Sequence, residues 1–171
     1  MKEQRLMDTV YGALGIALVF CATYFIKVPN GFQGYFNLGD GFILLFSSFL
    51  NPLAAFLLGG VGSCLADAIG GYGIYVIPTL LIKGIEAVAV SLWMRHIHKE
   101  AWRMFPYLLG SIIMLVGYFL ADTVIHDSWQ LGAAAILTNL LQAVVGIIIA
   151  WLAYPLMKRN LKMIQKNPSE R

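Results

Sequence analysis

The sequence predicts an all-α membrane protein of six transmembrane helices with both termini cytoplasmic. Three observations carry this expectation. Of the 171 residues, 59% are hydrophobic and only 12% charged, and the mean hydropathy is +0.74, outside the composition of a water-soluble domain. The apolar residues fall into six runs of 13 to 27 residues, against the ~20 that cross a ~30 Å hydrocarbon core. Lys and Arg, finally, gather beyond alternate runs. Little sequence is left over for anything but a single integral membrane domain over residues 1–171.

The first run, Thr9 to Val28, follows a charged start. No small-residue cleavage site stands close behind it, so it reads as a retained span rather than a signal peptide. Within it Ala13 and Ala17 lie four apart with Gly12 and Gly15 beside them. One stripe of this helix is almost bare backbone, and membrane helices associate through such stripes because lipid provides no hydrophobic penalty to drive packing. The partner is either another helix of the same bundle or a helix of a second protein.

The second and third runs, Leu38 to Leu50 and Leu53 to Ile69, are separated only by Asn51-Pro52, where proline cannot continue the preceding helix. Together they have about thirty residues, so each spans incompletely or packs tilted. On the third, Ala55, Gly59, Ser63 and Asp67 recur at i+4 and share one face. Either Asp67 is turned with that stripe toward the bundle interior, or it snorkels to the membrane edge.

The fourth run, Gly73 to Met94, carries Lys83 and Glu86 three apart. Counted from the outer loop, Lys83 lies ~12 to 15 Å deep and Glu86 one turn further. An ionisable group at the bilayer centre costs ~2.5 to 3.5 kcal/mol on insertion scales, so both need pairing, water or a ligand. A mutual i, i+3 ion pair is one solution and ligand contact is another. The fifth run is Phe105 to Ala121. The sixth, Leu131 to Met157, puts Asn139 and Gln142 three apart at the depth of Lys83 and Glu86.

Six spans collect ten of the twelve Lys and Arg on one side: Lys2, Arg5, Arg95, Lys99, Arg103, Lys158, Arg159, Lys162, Lys166 and Arg171. The positive-inside rule makes that side cytoplasmic, and the net charge of +3 then needs no nucleic-acid partner. Of the remaining two, Lys27 is outside and Lys83 lies within a span. Asn37, Asp40, Asp67 and Asp122 fall in the outer half, and Tyr35, Phe36, Tyr72, Tyr75, Trp129 and His126 crowd the same side. Interfacial belts account for such Trp and Tyr singly, whereas collectively they suit a flat ring held by stacking. The inner halves are nearly free of polar side chains, which describes a polar cavity open outward and closed inward.

Several classes are excluded or weakened. No HExxH, GxSxG or Walker sequence is present, so an enzyme is not expected. Cys21 and Cys64 sit in apolar runs without metal-ligand spacing, and no metal or other cofactor is called for.

The stretch "GYFNLGDGFILLFSSFLNPLAAFLLGGVGSCLADAIGGYGIYVIPTLLIKGIEA", with the six-span layout around it, resembles the substrate-binding S components of energy-coupling-factor (ECF) vitamin transporters. Its "LGDG", the proline-then-glycine ladder ending at Asp67 and "KGIEA" are closest to the hydroxymethylpyrimidine or pyridoxine type. Asn51 stands where glycine often precedes the proline. The resemblance implies a non-enzymatic subunit of a multi-pass bacterial cell-membrane importer. Such a subunit binds a vitamin-type substrate from outside, then topples on a transmembrane coupling subunit driven by two ATPase subunits. It also implies that Ala13 and Ala17 form the AxxxA docking motif and that the segment with Gly31, Phe32, Gly34, Tyr35 and Asn37 is a gating loop. Lys83, Glu86, Asn139 and Gln142 are then the candidate ligand contacts, with Asp67 and Asp40 nearer the entrance and Tyr72, Tyr75 and Trp129 as aromatic partners. The rival expectation is a stand-alone proton-coupled carrier using Asp67, Lys83 and Glu86 as a relay.

Overall fold

A computed structural model describes residues 2–29 and 35–166. The chain begins with helix α1 (Lys2–Phe25) and continues into an antiparallel hairpin of β1 (Lys27–Pro29) and β2 (Tyr35–Asn37). Helices α2 (Gly39–Ser47) and α3 (Pro52–Phe56) follow, and a π-helical turn over Leu57–Val61 joins α3 to α4 (Gly62–Ile69). A short turn over Gly73–Tyr75 leads into α5 (Val76–Met94), another over Glu100–Arg103 into α6 (Met104–Ile125), and α7 (Trp129–Lys166) completes the bundle.

Among the described residues, five segments are long and apolar enough to cross a membrane: 8–25, 52–69, 73–94, 100–125 and 129–161. The expected second span is the exception. Its helix α2 has nine residues, ~14 Å of rise, which is less than a bilayer core. Its sequence explains where it sits instead. Gly39, Gly41 and Ser47 are small, Ile43, Leu44, Leu45 and Phe46 are apolar, and all are buried. A helix without an exposed polar face belongs inside a bundle, and α2 packs against α1, α5 and α7. Ile43 and Leu44 anchor a core completed by Val19, Leu58, Val90 and Tyr107. Leu53, Ile77, Ile112, Val124 and Leu152, by contrast, stand exposed around the outside, as lipid contact requires.

The Asn51-Pro52 boundary falls where the sequence places it. Asn51 caps α3 by accepting from the Ala54 N–H at 2.9 Å, and Pro52 fills the first helical position, where no N–H is needed. Asn51 also donates its backbone N–H and its Nδ2 to the Asp8 carboxylate, at 3.1 and 2.7 Å. This fastens the α2–α3 turn to the beginning of α1.

The π-helical turn was not foreseen. It places two consecutive glycines, Gly59 and Gly60, against α5, so that backbone meets backbone. A Cβ on Gly59 would lie 2.5 Å from the Lys83 carbonyl oxygen and 3.0 Å from Ala87 Cβ. Gly59→Ala is therefore expected to push α4 from α5 at a cost of about 1–3 kcal/mol. A lowered midpoint of thermal unfolding in detergent would show it, and an unchanged midpoint would count against the tight packing.

Candidate functional site

The half of the bundle nearest the hairpin encloses a cavity of about 40 Å³. Each of the long helices gives it polar or aromatic side chains from one turn-spaced face. Thr23 comes from α1, Ser63 and Asp67 from α4, Thr79 and Lys83 from α5, Tyr118 and Asp122 from α6, and Ala135, Asn139 and Gln142 from α7. Strand β2 adds Tyr35 and Asn37, and the turn before α5 adds Tyr72 and Tyr75.

The floor is a buried charged network. The Lys83 ammonium donates to Asp40 Oδ1 and, at 3.2 Å, to Glu86 Oε2, and all three side chains are at most 3% exposed. One ammonium between two carboxylates offsets much of the desolvation each would suffer alone. Gln142 extends the network, with Nε2 donating to Asp40 Oδ2 at 2.9 Å and Oε1 accepting the backbone N–H and the Nδ2 of Asn37, both at 2.9 Å. Asn37 Oδ1 in turn accepts the Gly39 N–H at 2.8 Å. The start of α2, the hairpin, α5 and α7 are thereby tied through one set of hydrogen bonds. Within this network Glu86 Oε1 has no hydrogen-bond partner among the described residues.

The walls are aromatic, with polar tips. Tyr118 and Thr79 share a hydroxyl–hydroxyl bond of 3.0 Å, and the Tyr118 ring centroid lies 5.5 Å from the Lys83 ammonium. Tyr75 donates to Asp122 Oδ1 at 2.7 Å, and its hydroxyl is 3.0 Å from His126 Nε2.

The roof is the root of the hairpin. Tyr35 donates to Asp67 Oδ1, and its ring packs on Tyr72 with centroids 4.7 Å apart. Burial first, and the Asp67 carboxylate next, push the Tyr35 phenol far above its usual range, so it remains a donor. Above these rings the Lys27 ammonium sits 4.4 Å from Tyr35, 4.6 Å from Tyr72 and 5.4 Å from Tyr24, a cation held against three aromatic faces.

Several expected residues fall elsewhere. Asp40, expected near the entrance, lies in the floor as the shared partner of Lys83 and Gln142, because it occupies the first turn of the buried α2. Glu86 lies beneath the lining and reaches the cavity only through Lys83. Trp129, the first residue of α7, is 64% exposed and off the lining. Gly31, Phe32 and Gly34 lie outside the described residues, while the flanking Tyr35 and Asn37 belong to a paired strand rather than a plain loop. Asn139 lines the cavity without a hydrogen-bond partner among the described residues. On α1 the small residues divide, with Gly12 and Gly15 buried and Ala13 and Ala17 exposed.

Thr23, Ser63, Thr79 and Tyr118 were not singled out as site residues. The signal was present for two of them: Thr79 precedes Lys83 by four, and Tyr118 precedes Asp122 by four, the spacing that aligns side chains on one helix face. Lys27 gave no such signal, since its role depends on the hairpin.

Comparison with known proteins bears on the same framework. The chain is 38% identical over 144 residues, 82% of its length and 95% of the other, to a protein of Pyrococcus woesei described as "Uncharacterized protein in gap 3'region". It is 26% identical over 106 residues to the thiamine precursor transporter HmpT of Lactococcus lactis, covering 62% of this chain and 59% of that one. Residues 4–159 match the family described as "ECF-type riboflavin transporter, S component". That match spans the hairpin, the buried α2 and every cavity-lining position, and by it the chain belongs to the ECF-type riboflavin transporter S component family.

Proposed function

We propose that this chain is the substrate-binding subunit of an ATP-driven ECF importer, capturing a small aromatic heterocycle from outside. The candidates are hydroxymethylpyrimidine and a vitamin B6 form such as pyridoxine. The observation that carries the reading is the outer cavity itself, with its floor of paired charges and amides, its tyrosine walls and a hairpin for a roof. Such a site orients a ring by a few polar groups and grips it by stacking. The thiamine-precursor relative supports the pyrimidine candidate. Although the family is named for riboflavin, a cavity of about 40 Å³ opens for one ring with less displacement than for three fused rings.

In this reading the chain crosses the membrane six times. Asn37 pairs with Lys27 beside the end of α1, and Asn51 binds Asp8 near its beginning. The intervening segment with α2 therefore covers the same depth as α1, shielded from lipid by its neighbours. Both termini then face the cytoplasm, where the basic residues gather. Coupling and ATP hydrolysis reside on a transmembrane coupling subunit and two ATPase subunits, and Ala13 and Ala17 form the docking stripe.

Substrate entry requires the hairpin to lift. Opening breaks the Tyr35–Asp67 bond and draws Lys27 and Tyr35 away from Tyr72, contacts that re-form over a bound ring. Tyr35→Phe should accordingly weaken ligand binding about tenfold, mainly through faster release. Stopped-flow fluorescence would resolve the two rates, and unchanged release would remove Tyr35 from the gate.

The direct test is mass spectrometry of small molecules released from the purified protein, followed by isothermal titration with hydroxymethylpyrimidine and pyridoxine. Transport by the chain alone in liposomes, driven by a proton gradient and indifferent to ATP, would overturn the ECF reading in favour of a stand-alone carrier.

A further inference from the structure

We infer that the cavity discriminates by charge: it takes a hydrogen-bond-donating ring in neutral or protonated form and excludes the same ring once phosphorylated, with Asp67 and Asp122 as the excluding groups. This rests on the proposed role of the cavity as the site for a vitamin-type heterocycle.

The charges around the cavity are unequal. Asp40 and Glu86 in the floor and Asp67 and Asp122 at the rim face two ammoniums, Lys83 and Lys27, with His126 at the mouth on the Tyr75 hydroxyl. Neither ammonium is free for an anion. Lys83 is held by both floor carboxylates, and Lys27 is engaged with three rings above the roof. A phosphate is ordinarily bound by Arg or Lys forks or by unsatisfied N–H groups at a helix start. Here no arginine among the described residues lines the cavity. The start of α2 carries Asp40 in its first turn and gives its Gly39 N–H to Asn37.

Hydrogen bonding at the rim leans toward acceptors as well. The Tyr35 and Tyr75 hydroxyls are committed as donors to Asp67 and Asp122, and Gln142 donates to Asp40. What remains includes the acceptor oxygens of the Asp67 and Asp122 carboxylates at the rim, with the Asn139 amide, unpartnered among the described residues, beside them in the lining. Amines, hydroxymethyl groups and protonated ring nitrogens meet that surplus, whereas a phosphate ester brings a dianion between two carboxylates in a poorly solvated space. Specificity of this kind arises from repulsion of the wrong form as much as from attraction of the right one.

The experiment is isothermal titration of the purified full chain with three matched pairs: hydroxymethylpyrimidine, pyridoxine and riboflavin, each against its monophosphate. For any free ring that binds, the monophosphate is expected to bind at least about 100-fold more weakly. The double variant Asp67→Asn/Asp122→Asn, with folding checked by thermal unfolding, should shrink that gap to about tenfold or less. A monophosphate binding as tightly as its free ring in the unmodified chain overturns the inference while leaving the proposed function standing. An undiminished gap in the folded double variant overturns the assignment to Asp67 and Asp122. Failure of all three free rings to bind overturns the proposed function, and the inference with it.

Discussion

Replacing Lys83 with methionine is expected to abolish ligand binding and to destabilise the fold by about 3–5 kcal/mol, the range for removing one partner of a buried charge pair. The size of the effect follows from what stays behind. Asp40 and Glu86, at most 2% exposed, would face each other without the one ammonium that both accept from. Gln142 could still donate to Asp40, but nothing among the described residues would replace the donor at Glu86. Thermal unfolding in detergent measures the first loss and isothermal titration with hydroxymethylpyrimidine or pyridoxine the second.

Two companion variants separate a ligand contact from a structural pair. In Asp40→Asn/Lys83→Met a carboxylate leaves together with the ammonium, so most of the stability should return while binding stays absent. Recovery of binding in that double variant would mean that Lys83 only holds the floor together. Glu86→Gln should be milder than any change at Lys83, because Glu86 lies under the lining and Lys83 keeps Asp40. The sequence alone treats Lys83 and Glu86 as equivalent members of an i, i+3 pair. The third member, Asp40, breaks that symmetry, and it stands 43 residues away in sequence from Lys83.

How much of this was legible depends on the range of the interactions. Helix spans, the Asn51-Pro52 turn and the inward face of Ala55, Gly59, Ser63 and Asp67 are written in local periodicity, and the structure buries all four of those residues. The equal depth of Lys83 and Gln142 could be counted from topology, and both do reach Asp40. What could not be read is the depth of Asp40 itself. Position along the chain places it at the start of a span, hence near the surface. In the fold, α2 is short and wholly enclosed, so even its first turn is interior. The Lys27 site is illegible for a related reason, since its three rings come from α1, β2 and the turn before α5. No window of sequence contains them. The π-helical turn also escapes periodicity, because it inserts one residue into a register that the pattern takes to be continuous.

The second large effect concerns the other face of α1. Ala13→Trp/Ala17→Trp should eliminate ATP-driven uptake in proteoliposomes containing the coupling module, yet leave the ligand affinity of the isolated chain unaltered. The division of small residues along α1 is the reason. Gly12 and Gly15 turn inward, where Ala54 approaches the first and Leu58 and Phe46 approach the second. The chain's own packing is thus served by the glycines. Ala13 and Ala17 remain exposed alongside Val10 and Leu14, and Ala13 itself lines a groove of about 440 Å³ between α1 and α3, together with Ile16, Leu53 and Leu57 among others. A smooth strip beside an apolar groove lets a partner helix come close, and bulky indoles would hold it off. Neither alanine lines the cavity between the helices, so the two proposed functions should separate cleanly. Gly15→Leu provides the contrast: it would strike Leu58 inside the bundle and lower the thermal midpoint of the solitary chain. If the tryptophan variant still assembles with the coupling subunit and transports, the docking stripe lies elsewhere on the molecule.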